Sequence, residues 1–309
     1  MNPRTARREL LIHQPGTLTL VQDLGRTGHA SLGVPPSGAA DPPALKLANR
    51  LVGNPENTAG LEITLGGLIA EFTAGHWLAL TGAELHARLD DTPLAANAPH
   101  YARPGQMLRL ERPLGRGLRT YLAISGGIDI PPVLGSRSTD LMSGLGPPPL
   151  RSGTKLPLGP STAATLNVDI APVPGPAPAP TLDIVPGPRD DWFTPGAMTM
   201  LTSADYAVTS EANRIGIRLR GPALPRRITT ELPSEPMMTG ALQVPPTGLP
   251  ILFLNDHPTT GGYPVIAVVT TASLPAAAQL VPGDTLHFRL ARPKIAPKPE
   301  SPPKGTRRK

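Results

Sequence analysis

The chain has 309 residues, no cysteine and a formal net charge of +6. That length leaves room for about two domains of roughly 100–200 residues each, and the missing thiols exclude disulfides and cysteine-held metals. The charge is a local feature: Arg292, Lys294, Lys298, Lys304, Arg307, Arg308 and Lys309 stand against Glu300 alone, and the rest of the chain is balanced, without the basic stripe of a nucleic-acid binder.

The opening, "MNPRTARRELLIHQPG", carries arginines but no apolar run of signal-peptide length, and nowhere do about 18 apolar residues follow one another. The expectation is a cytoplasmic chain that neither crosses a membrane nor binds nucleic acid. With 42 prolines, 32 glycines and 3% aromatics, long helices are disfavoured, because proline breaks helix interiors. Short apolar runs bounded by Gly, Pro and Asn read as strands. In chain order they are "TLTLVQ", "LEITL", "WLAL", "MLRL", "YLAIS", "YAVTS", "PILFL", "VIAVVTT" and "TLHFRL".

One helix is predicted over residues 41–53, "DPPALKLANRLVG". Asp41 caps its start, prolines occupy its first turn, Leu45, Ala48 and Leu51 or Val52 share a face, and Gly53 ends it. A shorter helix is predicted in "SLPAAAQL", residues 273–280, with Ser273 as its cap. The run "IAPVPGPAPAPT" prefers polyproline II and cannot pack as a central strand. The chain therefore divides into residues 1–159, a Pro/Ala-rich linker at 160–181, residues 182–291, and a basic Pro-rich tail at 292–309, expected to be disordered. "GVPPSG" at 33–38 recurs as "QVPPTG" at 243–248, and "RPGQMLRL" at 103–110 as "VPGDTLHFRL" at 281–290. The repeated order points to two related halves.

Several engines are missing. There is no P-loop, no H-E-x-x-H and no G-x-S-x-G elbow, and the seven histidines do not cluster at metal-ligand spacing. Polar groups instead gather in glycine-framed turns. The first, residues 21–41, offers Gln22, Asp23, Arg26, Ser37 and Asp41; its plainer reading is an Asp23–Arg26 pair and a helix cap. The second, "LGSRST", sets Ser136, Arg137 and Thr139 in a donor-rich loop suited to an anion or carboxylate, or else a capped turn. The third, residues 234–248, holds Glu235 and Gln243. The fourth is "LNDHPTTGGYPV", with Asp256, His257, Thr259, Thr260 and Tyr263 in a sharp bend.

"TLVQDLGRTGHASLGVPPSGAAD", "ALKLANRLVGN", "LEITLGG", "YLAISGGID", "LGSRST", "NRIGIRLRG", "GALQVPPTGLPI" and "TTGGYPVIA" stand in order across residues 18–290. Together they resemble the KipA-type family, also described as the C component of 5-oxoprolinase, allophanate hydrolase subunit 2 or the biotin-dependent carboxyltransferase family. The resemblance implies a mainly β fold of two cyclophilin-like β-barrel domains with a few short helices. It implies partners: a KipI-type chain (the B component of 5-oxoprolinase) and a LamB/YcsF-type chain (its A component), with which such proteins open 5-oxoproline to glutamate at the expense of ATP. No cofactor is expected on this chain itself. One alternative is a carboxyltransferase component moving CO₂ from carboxybiotin, supplied in trans, to urea or a similar amide. Another is a regulatory protein that sequesters a KipI-type kinase inhibitor.

On this reading Thr259, Thr260 and the backbone of Gly261 and Gly262 face a cleft and bind an amide oxygen or carboxylate, with Tyr263 positioning substrate. Asp41, Glu62, Glu235 and Asp256 are the candidate acid/base carboxylates, and His257 titrates near neutrality when unperturbed. Arg137 and Arg214 bring guanidinium forks suited to planar groups, beside Ser136, Thr139 and Gln243. The turns are expected to converge on one cleft between or beside the barrels. Three departures from the family pattern leave the substrate in question: Pro258 after His257, Pro236 in "SEPMMTG", and "GLGPPPLRSGTKL".

Overall fold

Each apolar run quoted above overlaps a strand of the computed structural model, which describes residues 7–113, 115–161, 166, 168–172 and 179–292. The centre of the Pro-rich linker and the basic tail beyond Arg292 lie outside the described residues. In chain order the first half forms β1 (Glu9–Pro15), β2 (Leu18–Gln22), β3 (Gly60–Thr64), β4 (Leu68–Phe72), β5 (His76–Gly82), β6 (Leu85–Leu89), β7 (Thr92–Leu94), β8 (Pro99–Ala102), β9 (Met107–Pro113), β10 (Arg119–Ile124) and β11 (Lys155–Pro157). The second half forms β12 (Thr181–Pro186), β13 (Asp205–Val208), β14 (Gly216–Arg220), β15 (Glu235–Pro236), β16 (Ala241–Gln243), β17 (Ile251–Phe253), β18 (Thr260–Gly261), β19 (Val265–Val269) and β20 (Thr285–Leu290). Among the described residues the α-helices are α1 (Pro42–Leu51), α2 (Ala197–Ser203) and α3 (Leu274–Ala278).

The first half folds as two antiparallel sheets, in the orders β11-β1-β4-β9-β6-β7 and β2-β3-β10-β5-β8. Strand β6 explains how one face stays wet: Leu85, Ala87 and Leu89 are buried while His86 and Arg88 are exposed, the period of a half-buried strand. The inward faces of both sheets share one core, including Leu10, Phe72, Leu61, Leu80 and Leu122. Strand β10 is buried along its whole length because α1 covers its other face. Leu45 packs on Tyr121, and Ala48, Leu51 and Val52 pack on Ala79 and Ala123. The predicted cap is present, with the Asp41 side chain accepting the Ala44 N–H at 3.1 Å.

The second half closes a seven-stranded barrel, β12-β19-β16-β17-β14-β13-β20, sealed by the parallel pair β12–β20. Leu182, Ile184, Tyr206, Leu242, Leu252 and Phe288 fill its interior. A separate two-stranded ribbon pairs β15 with β18. The sequence echo reaches the backbone: Gly105 before β9 and Gly283 before β20 both take positive φ, 84° and 95°, which glycine adopts without steric cost.

Local details differ from expectation. Ser273 starts α3, but its hydroxyl does not cap it; it accepts the Asp183 N–H at 3.0 Å instead, tying α3 to β12. Helix α2 was not predicted, since Thr199, Thr202 and Ser203 dilute its propensity; burial of Ala197 and Leu201 holds it. Strand β12 begins at Thr181, the last residue assigned to the linker. Ala171, also assigned to the linker, packs against the α1 cluster and donates its N–H to Asn97 O.

Candidate functional site

The loops after β2, β13 and β17 meet where the two halves join. Glu62, on β3, lies at the centre with no exposed surface. Its Oε1 accepts Arg214 Nη1 at 2.6 Å and lies 3.3 Å from Arg119 Nε. Its Oε2 accepts the Ala40 N–H at 2.9 Å and the Tyr121 hydroxyl at 2.8 Å. Arg214 reaches on to Asp256, both oxygens at 2.9 Å, and to Gly38 O at 2.7 Å. Burial lifts the Glu62 pKa, but the Arg214 and Arg119 charges outweigh it and hold the carboxyl below its ordinary value. Two guanidiniums and two carboxylates thus neutralise one another in a dry site. The sequence-nominated Glu62, Arg214 and Asp256 are brought together, and Asp41 sits beside them with its N–H on Tyr121 Oη at 2.8 Å.

His257 is buried beside this network, its Nδ1 2.7 Å from Pro258 O and its ring stacked 6.0 Å from Phe253. Burial pushes its pKa down, which favours the neutral imidazole. Asp256 Oδ2 also accepts the Leu141 N–H at 3.3 Å, which links the network to the "LGSRST" loop.

That loop does surround an anion, and the anion is Asp23. The hydroxyls of Ser136 and Ser138 each donate to Oδ1 at 2.6 Å, and the Arg137 N–H donates to Oδ2 at 2.6 Å. Arg26 donates to the carbonyls of Val133 and Ser138, so the Asp23–Arg26 pair expected from sequence is not formed. Arg137 turns its Nε to Ile130 O at 2.6 Å, and Thr139 donates to Pro147 O at 2.8 Å.

The remaining nominated residues form a third cluster on the β15–β18 ribbon, where Glu235 is opposite Gly261. Glu235 is held below the ordinary carboxylate range by its hydrogen bonds from Arg189, at 2.9 and 3.0 Å from Nε. Gln243 donates to Tyr263 O at 3.1 Å. Thr259 O accepts the Met237 N–H, Thr260 and Tyr263 are exposed, and Gly262 is half-buried. The Arg226 guanidinium lies 6.0 Å from the Tyr263 ring centroid. The nominated groups therefore occupy three adjoining clusters.

A cleft of about 420 Å³ opens at the junction, between α1 of the first half and α3 of the second. Asp41 lies in its wall. Gln279 crosses from the second half: its Nε2 donates to Asp41 Oδ2 at 2.9 Å, and its Oε1 accepts the N–H groups of Leu118 and Arg119 at 3.0 and 2.9 Å. Sequence reasoning missed Arg119, Tyr121 and Gln279. Arg119 heads an apolar strand and Gln279 ends an alanine run, and a charge or amide opening or closing a buried element was the available signal. Among the described residues, no group of three or more His, Asp or Glu is placed to hold a metal ion, and no helix is long and apolar enough to cross a membrane.

Two sheets stand against a closed barrel, with a buried ion network at the joint. The chain belongs to the carboxyltransferase domain family, subdomains A and B, whose match spans residues 32–290. It is 41% identical over 282 residues to the C component of 5-oxoprolinase from Escherichia coli K12, covering 90% of each chain. It is 34% identical over 274 residues to the corresponding 5-oxoprolinase component of Haemophilus influenzae, covering 87% of this chain and 86% of that one. Urea carboxylase from Kluyveromyces lactis superposes with a TM-score of 0.85 at 30% identity, covering 93% of this chain and 28% of that one. Another solved relative, 35% identical with a TM-score of 0.85, is spanned over 57% of its length.

Proposed function

We propose that this protein is the C component of a heteromeric, ATP-dependent 5-oxoprolinase of the cytoplasm, opening 5-oxoproline to glutamate beside KipI-type and LamB/YcsF-type chains. The observation that carries the reading is the end-to-end similarity to a 5-oxoprolinase C component at 41% identity. Dependence on partners is supported by exposed apolar side chains on the loops after β2 and β10, namely Leu32, Val133, Leu134, Leu141 and Met142, since exposed apolar surface is what interfaces cover. In this reading Glu62, Arg214 and Asp256 fix the joint between the halves, because the Glu62–Arg214 ion pair crosses it and Asp256 holds Arg214 in place.

The test is reconstitution. Co-expressed with KipI-type and LamB/YcsF-type chains from the same source, the protein should yield ATP-dependent glutamate release that is lost when any one chain is omitted. A complete complex that binds ATP but releases no glutamate overturns the reading. The likeness to urea carboxylase supports a second reading, transfer of CO₂ to urea, but at lower identity and over a quarter of that chain. Urea-dependent consumption of carboxybiotin by the same preparation would favour it.

A further inference from the structure

The cleft between α1 and α3 combines apolar walls with a few convergent polar groups, the usual character of a small-molecule site. Its volume, about 420 Å³, falls within the roughly 300–1,000 Å³ typical of such sites. Leu47 on one side and Pro275 and Leu280 on the other supply the apolar surface. Asp41 is only 8% exposed. Each of its oxygens already accepts one hydrogen bond, Oδ1 from the Ala44 N–H and Oδ2 from Gln279, and each has a further position for a partner. Burial pushes its pKa up, against the Gln279 and Ala44 hydrogen bonds. The remaining acceptor positions on its two oxygens suit the N–H of an amide edge.

The cations at the rim differ. Arg50 is engaged by Glu56 at 2.7 Å. Arg116 stands 3.9 Å from Asp284, too far for a hydrogen bond, so its fork is open to a carboxylate from outside.

We infer that this cleft binds a small cyclic amide bearing a carboxylate, with the amide edge at Asp41, the ring methylenes between Leu47 and Leu280, and the carboxylate on Arg116. The assignment of this ligand class rests on the 5-oxoprolinase reading. The site is composite: Asp41 and Arg116 come from the first half, and Gln279, which orients Asp41, comes from the second.

The experiment is titration calorimetry of the full chain with 5-oxoproline and with 2-pyrrolidinone, the same ring without the carboxylate. Ala276, exposed and on the cleft wall, gives the plug variant Ala276→Trp; Leu47→Trp plugs the cleft from the opposite wall, so the outcome does not hang on one substitution. Both plugs should abolish binding of both rings. Arg116→Gln should weaken 5-oxoproline by about tenfold or more, the scale of one charge-assisted hydrogen bond, while 2-pyrrolidinone binds alike to Arg116→Gln and the native chain. Unaltered 5-oxoproline binding in folded plug variants, or none to the native chain, overturns the assignment. Turnover by the reconstituted complex answers the separate question of function. Cleft binding without turnover retires the 5-oxoprolinase reading and keeps the site. Turnover that survives both plugs retires the site and keeps the reading.

Discussion

Glu62 shows how a side chain without exposed surface holds two halves of a molecule together. It meets Arg119 from its own half and Arg214 from the other, and neither arginine is more than 3% exposed. Removing its charge leaves buried Arg119 without its carboxylate partner and buried Arg214 with Asp256 alone. Glu62→Gln should therefore cost about 3–5 kcal/mol at pH 7, the range for a broken buried ion pair, read from the urea midpoint. The pH dependence follows from the direction of the shift. The folded pKa lies below the unfolded value of 4.5, so the stabilisation is fully present above that value and is lost as pH falls through the folded pKa. The difference between native and variant proteins should shrink in acid. A constant difference from pH 7 to well below pH 4.5 would assign the cost to shape instead of charge.

At the scale of elements, the β15–β18 ribbon depends on a close approach. A Cβ on Gly261 would lie 2.5 Å from Gln243 Nε2, and the amide would have to swing off Tyr263 O. Gly261→Ala should cost about 1 kcal/mol, the net value of one hydrogen bond, seen as a lower melting temperature. In a Gln243→Ser background, where the obstacle is gone, most of that cost should vanish; an equal cost in both backgrounds would sink the explanation. Elements were legible where their signals are local. Asp41, two prolines and Gly53 announce α1 within one stretch, and alternation announces β6. Helix α2 gave no such signal, because what holds it is the barrel it packs on. The site followed the same rule. Asp41, Glu62, Arg214 and Asp256 could be nominated one by one, but nothing local to Arg119 or Gln279 reveals a partner in the other half of the chain. The "LGSRST" loop was legible as a set of donors, and only the fold reveals that Asp23 is what they bind.

For the whole molecule, the joint predicts one cooperative unit. The protein's two tryptophans divide between the halves: Trp77 on β5, against Tyr101 at 5.3 Å, and Trp192 in the turn preceding Phe193 of the barrel core. Separating the halves would strand Arg214 and Glu62, so they should unfold together. Trp77→Phe and Trp192→Phe, each leaving one reporter, should give coincident urea transitions; well-separated midpoints would mean that the halves melt independently. The barrel's closure also has a consequence for biosynthesis. Strand β12 pairs with β20, Thr181 opposite His287, so the first strand of the barrel waits for the last to be translated. At about 5–20 residues per second, the interval is on the order of 5–20 s, during which the β12 edge is unpaired and able to recruit a neighbouring nascent chain. This half therefore cannot close until β20 has been made, and the cell's burden of aggregation should rise with its rate of synthesis.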